Sequence, residues 1–253
     1  MHVELRVHTP AGELGRAAAD LILAHAKESV RLRGVFTLVL SGGSTPIPLY
    51  RRLATPSMTR EFPWESSHVF WGDERIASPE SSFSNYASAF DTLLSKVPIP
   101  SENIHPVPVG LSAPEEAAKT YERELRAFFG CLDEGEQGVH SRDEAPTFDM
   151  TLLGVGSDGH TASLFPESPL LKERARWVLH EPHPLLPPLL PRITLTLPAI
   201  NRARCVLILA SGARKARVIH SIWDRPEKAA RMFPVAGVRP RGTLVWLLDT
   251  EEE

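Results

Sequence analysis

Apolar and polar residues alternate with a period of two in MHVELRVH, and that spacing predicts a strand over residues 1–8. Thr9 and Pro10 follow where a helix cap and a first-turn proline belong. Apolar residues then recur three and four apart through AGELGRAAADLILAHAKESVRL, which predicts a long helix. VFTLVL changes the pattern to an unbroken, β-branched apolar run, as a strand buried on both faces requires. SGGS ends that run, and TPIPLYRRL reads as a helix capped by Thr45 with Pro46 in its first turn. HVFWGDER reads as one further strand, followed through a loop by a helix at SNYASAFDTLLS. Ser112 and Glu115 are spaced as a capping box for EEAAKTYERELRAFF. A polar stretch from Gly130 to Pro146 reads as an exposed excursion, after which FDMTLLGVG resumes the rhythm. WVLHEP, RITLTL, CVLILASG and TLVWLLD supply the remaining strands, with helical spacing in ARKARVIHSIW.

Strands alternating with helices predict an α/β fold, in which a largely parallel central sheet is covered by helices on both faces in a Rossmann-like arrangement. A small additional subregion and a single domain over residues 1–253 complete the expectation. EPHPLLPPLLP carries five prolines in eleven residues, which excludes a helix or central strand and suggests a rigid rim or lid. In such a sheet ligands sit beyond the carboxyl ends of the strands. The unusual polar clusters of this chain all lie there.

Composition narrows the class. A net charge of −3 argues against a nucleic-acid or membrane binder, yet leaves room for a local basic pocket. Cys131 and Cys205 form no CxxC pair, and both are expected reduced in a cytoplasmic setting. The first residues lack the apolar core of a signal peptide, and no apolar run approaches a membrane span.

Four clusters carry candidate chemistry. Ser41-Gly42-Gly43-Ser44-Thr45-Pro46 lies between a strand and a helix, where backbone N–H groups and a helix N-terminus can cradle an anion. It is neither a Walker A nor a GxGxxG sequence, and a plain turn is the alternative. Gly72-Asp73-Glu74-Arg75 places three charges at a strand end, with Ser84-Asn85 opening the next helix. Such charges need partners or solvent, and an Arg fork suits phosphate or carboxylate oxygens; a solvated ion pair is the alternative. In LGVGSDGHTASLFP, His160 stands on a loop after a buried strand, two residues beyond Asp158, placed to exchange protons near neutral pH or simply to serve structure. Arg192 and Lys215 flank strand segments, where they can close on one phosphate or remain solvated. His180 and His183 lack further ligands at metal spacing, and no GxSxG elbow is present.

In their order, SGGSTP, WGDER with Ser84-Asn85, LGVGSDGHTASLFP, RITLT and the SGxxK ending at Lys215 make the chain resemble the 6-phosphogluconolactonases. These share a superfamily with the glucosamine-6-phosphate isomerase/deaminases. The resemblance spans nearly the whole chain. It departs from the family pattern at Ala77-Ser78, where a Val-Pro is common, and in a longer polar stretch before Phe148. It implies hydrolysis of a phosphorylated sugar lactone without metal or organic cofactor, by a monomer or weak homo-oligomer. Ser41, Gly42, Gly43, Ser44 and Thr45 would cradle the 6-phosphate, with positive charge from Arg192 and Lys215. Asp73, Arg75, Asn85 and Gly156 would meet the rest of the substrate. His160, oriented by Asp158, would activate water. Two alternatives stand beside this: a deaminase, for which Glu167 lies near the place of an acid, and a non-catalytic sugar-phosphate-binding module. HTASLFP favours the lactonase.

Overall fold

Every continuous apolar run foreseen in the sequence becomes a strand, but the strands divide between two sheets. The computed structural model describes residues 2–8, 13–78, 80–110, 113–130, 146–185 and 187–249. In chain order, β1 (His2–His8) and α1 (Glu13–Arg33) precede β2 (Phe36–Leu40), α2 (Ile47–Leu53) and α3 (Pro56–Glu61). There follow β3 (Ser67–Trp71), β4 (Asp73–Arg75), α4 (Asn85–Thr92), α5 (Pro114–Phe128) and β5 (Met150–Gly154). The chain continues through β6 (Val178–Glu181), β7 (Arg192–Leu195), α6 (Leu197–Ile200) and β8 (Cys205–Ser211). It closes with α7 (Ala213–Asp224), α8 (Pro226–Met232) and β9 (Thr243–Asp249).

The larger sheet has six parallel strands in the order β1-β9-β8-β5-β2-β3, flanked by helices. Its interior strands are buried at all but a terminal residue, and β2 at every residue, which explains their lack of polar alternation. α1 turns Leu14, Ala18, Ile22 and Ala26 inward at helical spacing, and Gly15 lets α2 approach closely. At the amino ends of β2 and β5, the buried Asp149 carboxylate accepts from Thr37 and Arg33 and pins the two strands together. After β2 the chain moves outward to β3, whereas after β5 it moves the opposite way to β8. The carboxyl ends of β2 and β5 therefore flank a switch point, where the departing loops open a crevice.

Several expectations are corrected. HVFWGDER is two strands: Gly72 separates β3, in the parallel sheet, from β4, which pairs antiparallel with β7 in a three-stranded sheet β4-β7-β6. WVLHEP and RITLTL belong to that second sheet, and their apolar faces do not reveal strand direction. Thr45 does not cap α2; the helix starts at Ile47 after Pro46, and the Thr45 hydroxyl serves elsewhere. α5 begins at Pro114, with Ala113 in the cap position. Ser112, the Thr9-Pro10 start signal, Cys131 and most of the polar excursion lie outside the described residues. Cys205 is a buried free thiol, which burial pushes up to about 12.

Candidate active site

Loops from both sheets converge on one cavity of about 230 Å³, lined by residues 41–45, Asp73, Arg75, residues 154–156, His160, Ala162, Arg192 and Lys215. The 41–45 loop is held from below. The buried Tyr50 hydroxyl accepts from the Ser41 N–H at 3.0 Å and donates to the Ser41 carbonyl at 2.6 Å. Burial raises the ionisation point of this hydroxyl, so it stays protonated to donate. Gly43 has φ +85°, and a Cβ on Gly42 would lie 1.8 Å from the Asn85 amide oxygen. Both glycines are therefore required by the turn and its close packing.

Positive charge enters from three elements. β4 carries Arg75, and its register partner across the antiparallel pair is Arg192 of β7. Arg192 is buried, and its register partner on the other side is Glu181 of β6, so a carboxylate beside it offsets the repulsion between the two arginines. Burial lowers the Arg192 guanidinium; Asp73 and Glu181 oppose that shift and Arg75 adds to it. Arg192 is steadied by the Pro188 carbonyl at 3.1 Å and lies over the Phe165 ring, while Arg75 donates to the Phe83 carbonyl. The Pro-rich segment thus forms part of the rim. Lys215, in the first turn of α7, donates to the Thr45 hydroxyl at 3.0 Å and so ties the third cation to the 41–45 loop.

The charges of the GDER motif find separate partners. Asp73 accepts from the Ser163 hydroxyl at 2.7 Å and stays at the cavity wall. Glu74 is turned away, accepting from the backbone N–H groups of Arg75, Asn85 and Tyr86 and from the Ser84 hydroxyl. It caps α4, although burial still leaves its carboxyl above the ordinary value. Asn85, expected at the ligand, does not line the cavity. It is buried behind Asp73, donating to the Asp73 carbonyl at 2.8 Å, because it occupies the first turn of α4 that Glu74 anchors.

His160 lines the same cavity from a loop outside any helix or strand. Its Nδ1 is 2.6 Å from Asp158 Oδ1, and that same oxygen accepts the His160 backbone N–H. In the neutral imidazole this contact selects the tautomer in which Nδ1–H donates to the carboxylate and Nε2 carries the lone pair. Burial works to raise the Asp158 carboxyl, but the hydrogen bonds and charge of His160 outweigh it and the net shift is downward. Gly156 makes the pair possible, since a Cβ there would lie 2.1 Å from His160 Nδ1 and 2.5 Å from Asp158 Oδ1. Phe165 packs its ring 5.0 Å from the imidazole.

Sequence reasoning missed Tyr50, Ser163 and Ala162. The first two are ordinary polar residues whose role exists only through a distant partner. Ala162 carries a positive φ of 47° that nothing in its side chain announces. A larger hollow of about 700 Å³ shares Phe165 but is otherwise lined by residues such as Glu167, Leu179, His180 and Leu185. Glu167 faces this hollow and does not line the cationic cavity. No group of three His, Cys, Asp or Glu side chains placed to hold a metal occurs among the described residues, and no helix among them is long and apolar enough to cross a membrane.

The chain is 42% identical over 224 residues to the 6-phosphogluconolactonase of Synechocystis, covering 88% of this chain and 86% of that one. It is 39% identical to that of Nostoc, covering 91% and 88% respectively. Among solved structures, the 6-phosphogluconolactonase from Trypanosoma cruzi superposes with a TM-score of 0.81 at 32% identity, over 98% of this chain and 96% of that one. The model of the family described as glucosamine-6-phosphate isomerases/6-phosphogluconolactonase matches residues 10–246, and with the sheet order and the paired loops in place the chain belongs to that family.

Proposed function

We propose that the protein hydrolyses 6-phospho-D-glucono-1,5-lactone to 6-phospho-D-gluconate, a step of the oxidative pentose phosphate pathway, in a cytoplasmic setting. One observation carries the reading: a single small cavity holds both a cationic seat, made by Arg192, Lys215 and the 41–45 loop, and an imidazole fixed by a carboxylate. The 6-phosphate would occupy the seat. The lactone end would then reach His160.

His160 Nε2 takes a proton from water as the water oxygen attacks C1, and the carbonyl becomes a tetrahedral oxyanion. Arg75 or backbone N–H groups of the loops are the available donors to that oxygen. Collapse expels the ring oxygen, which recovers the proton from His160. The phosphate is remote from C1, so its binding energy acts by orienting the ring. Glu167 lies outside this cavity, which supports hydrolysis over the deaminase reading.

The direct test gives the protein fresh 6-phosphogluconolactone and, separately, glucosamine 6-phosphate, following acid and ammonia release. Acid release from the lactone above the spontaneous rate, without ammonia from the amine, is the expected result. Ammonia release would overturn the reading in favour of a deaminase, and binding without either reaction would make the site a non-catalytic one.

A further inference from the structure

The two edges of the six-stranded sheet are finished differently. At β3 the edge is closed, because Ile104 bridges Val69 and the His105 N–H donates to the Val69 carbonyl at 2.9 Å. At β1 it is open: among the described residues no backbone group reaches the outer edge of the strand. β1 pairs with β9 along its whole length, and the His2 N–H donates to Gly242 toward β9. By the alternation of a parallel ladder, the N–H and C=O groups of Val3, Leu5 and Val7 therefore point outward. Their side chains are exposed as well, at 42%, 41% and 56%. Leu5 is the register partner of Trp246, against which Trp223 packs at 5.5 Å with 42% of itself exposed. The open edge thus has an apolar face that continues onto α7.

An edge of this kind is a template for another strand, and its own sequence specifies which strand fits. HVELRVH reads the same in both directions about Leu5, except that Glu4 and Arg6 exchange sign. Under a two-fold axis at Leu5, an antiparallel copy sets Leu5 opposite Leu5, Val3 opposite Val7, and Glu4 opposite Arg6 on both sides. The outward backbone groups fall on the pairs that exchange hydrogen bonds, and the apolar side chains meet on one face. Within one chain Glu4 and Arg6 already touch at 2.7 Å, so the copies would join two such pairs into a ring of alternating charge. We propose that β1 is a self-complementary docking edge, at which a second copy of this chain adds its own β1 and continues the sheet across a two-fold axis.

Sedimentation over micromolar concentrations tests this. The wild type should pass from monomer to dimer, with the amides of Val3, Leu5 and Val7 gaining protection from hydrogen exchange as the dimer fills. E4R sets like charges opposite across the axis and L5K does so on it, and each should weaken the dimer by about tenfold or more. The double reversal E4R/R6E restores opposite signs at every pair and should recover most of the affinity. Thermal unfolding checks that each variant is folded, as exposed charges on an edge strand permit. A wild type that stays monomeric would overturn the proposal, leaving the charges as a device that blunts the edge. So would a dimer unaffected by E4R and L5K, or a folded double variant that fails to recover.

Discussion

At the residue scale, His160 needs one nitrogen committed and the other open, and Asp158 together with Gly156 provides that. His160→Ala removes a group used in the transition state, so kcat should fall by about 10²–10⁴-fold with little change in KM. Steady-state kinetics on the phosphorylated lactone decide it, and near-normal turnover in a folded variant would remove His160 from the mechanism. Gly156→Ala asks a subtler question. The new methyl cannot share space with His160 Nδ1, so the imidazole must leave Asp158. Turnover should drop while a phosphate anion still binds, because the cationic seat is built from other loops. The pairing of His160 with Asp158 was legible in the motif, since short spacing on a loop lets one carboxylate orient one ring. The misplacement of Asn85 shows the limit. The sequence set it beside a charged motif, but whether an amide faces the cavity or the wall behind depends on how Glu74 caps α4.

At the element scale, the site is made by strand ends and by what braces the loops leaving them. Tyr50 holds both backbone groups of Ser41, so Tyr50→Phe strands a buried donor and acceptor and should cost about 1–3 kcal/mol by urea unfolding. The loop would also lose its fixed shape, raising KM for the phosphorylated lactone. Arg192→Ala and Lys215→Ala test the seat itself. Each should raise KM and lower kcat for the phosphorylated substrate, while leaving the slow hydrolysis of unphosphorylated gluconolactone nearly unchanged. Inorganic phosphate should compete less well in both variants. Equal losses on the two substrates would show that these residues act on the fold or on the lactone end. The buried strands and the glycine turns were legible because continuous apolar runs and SGGS have few structural meanings. The split of HVFWGDER at Gly72 was not, since a strand that changes sheets keeps its β pattern.

At the scale of the whole molecule, burial holds His25, His68 and His180 below the ordinary histidine value, with the His105 charge adding to the effect at His68. The unfolded chain releases them to a value of about 6.5, so it takes up protons that the folded state refuses. The stability they contribute is therefore fully present above about 6.5 and is lost progressively as pH falls below it toward their lowered folded-state values. Urea midpoints measured from about pH 7.5 to about pH 5.5 should fall, and a His25→Gln/His68→Gln protein should lose less over the same span. A parallel fall in both would assign the acid sensitivity to other groups. By itself the sequence determined the α/β class, the buried strands and the polar loops that line the cavity, because periodicity, glycine turns and closely spaced motifs are local properties of the chain. Only the tertiary structure decided the strand order, the second antiparallel sheet, the open edge at β1 and the facing of Arg75 by Arg192. Each of these is a pairing between segments far apart in sequence, chosen by which hydrogen-bonding edges and apolar faces remain free once the rest of the core has closed.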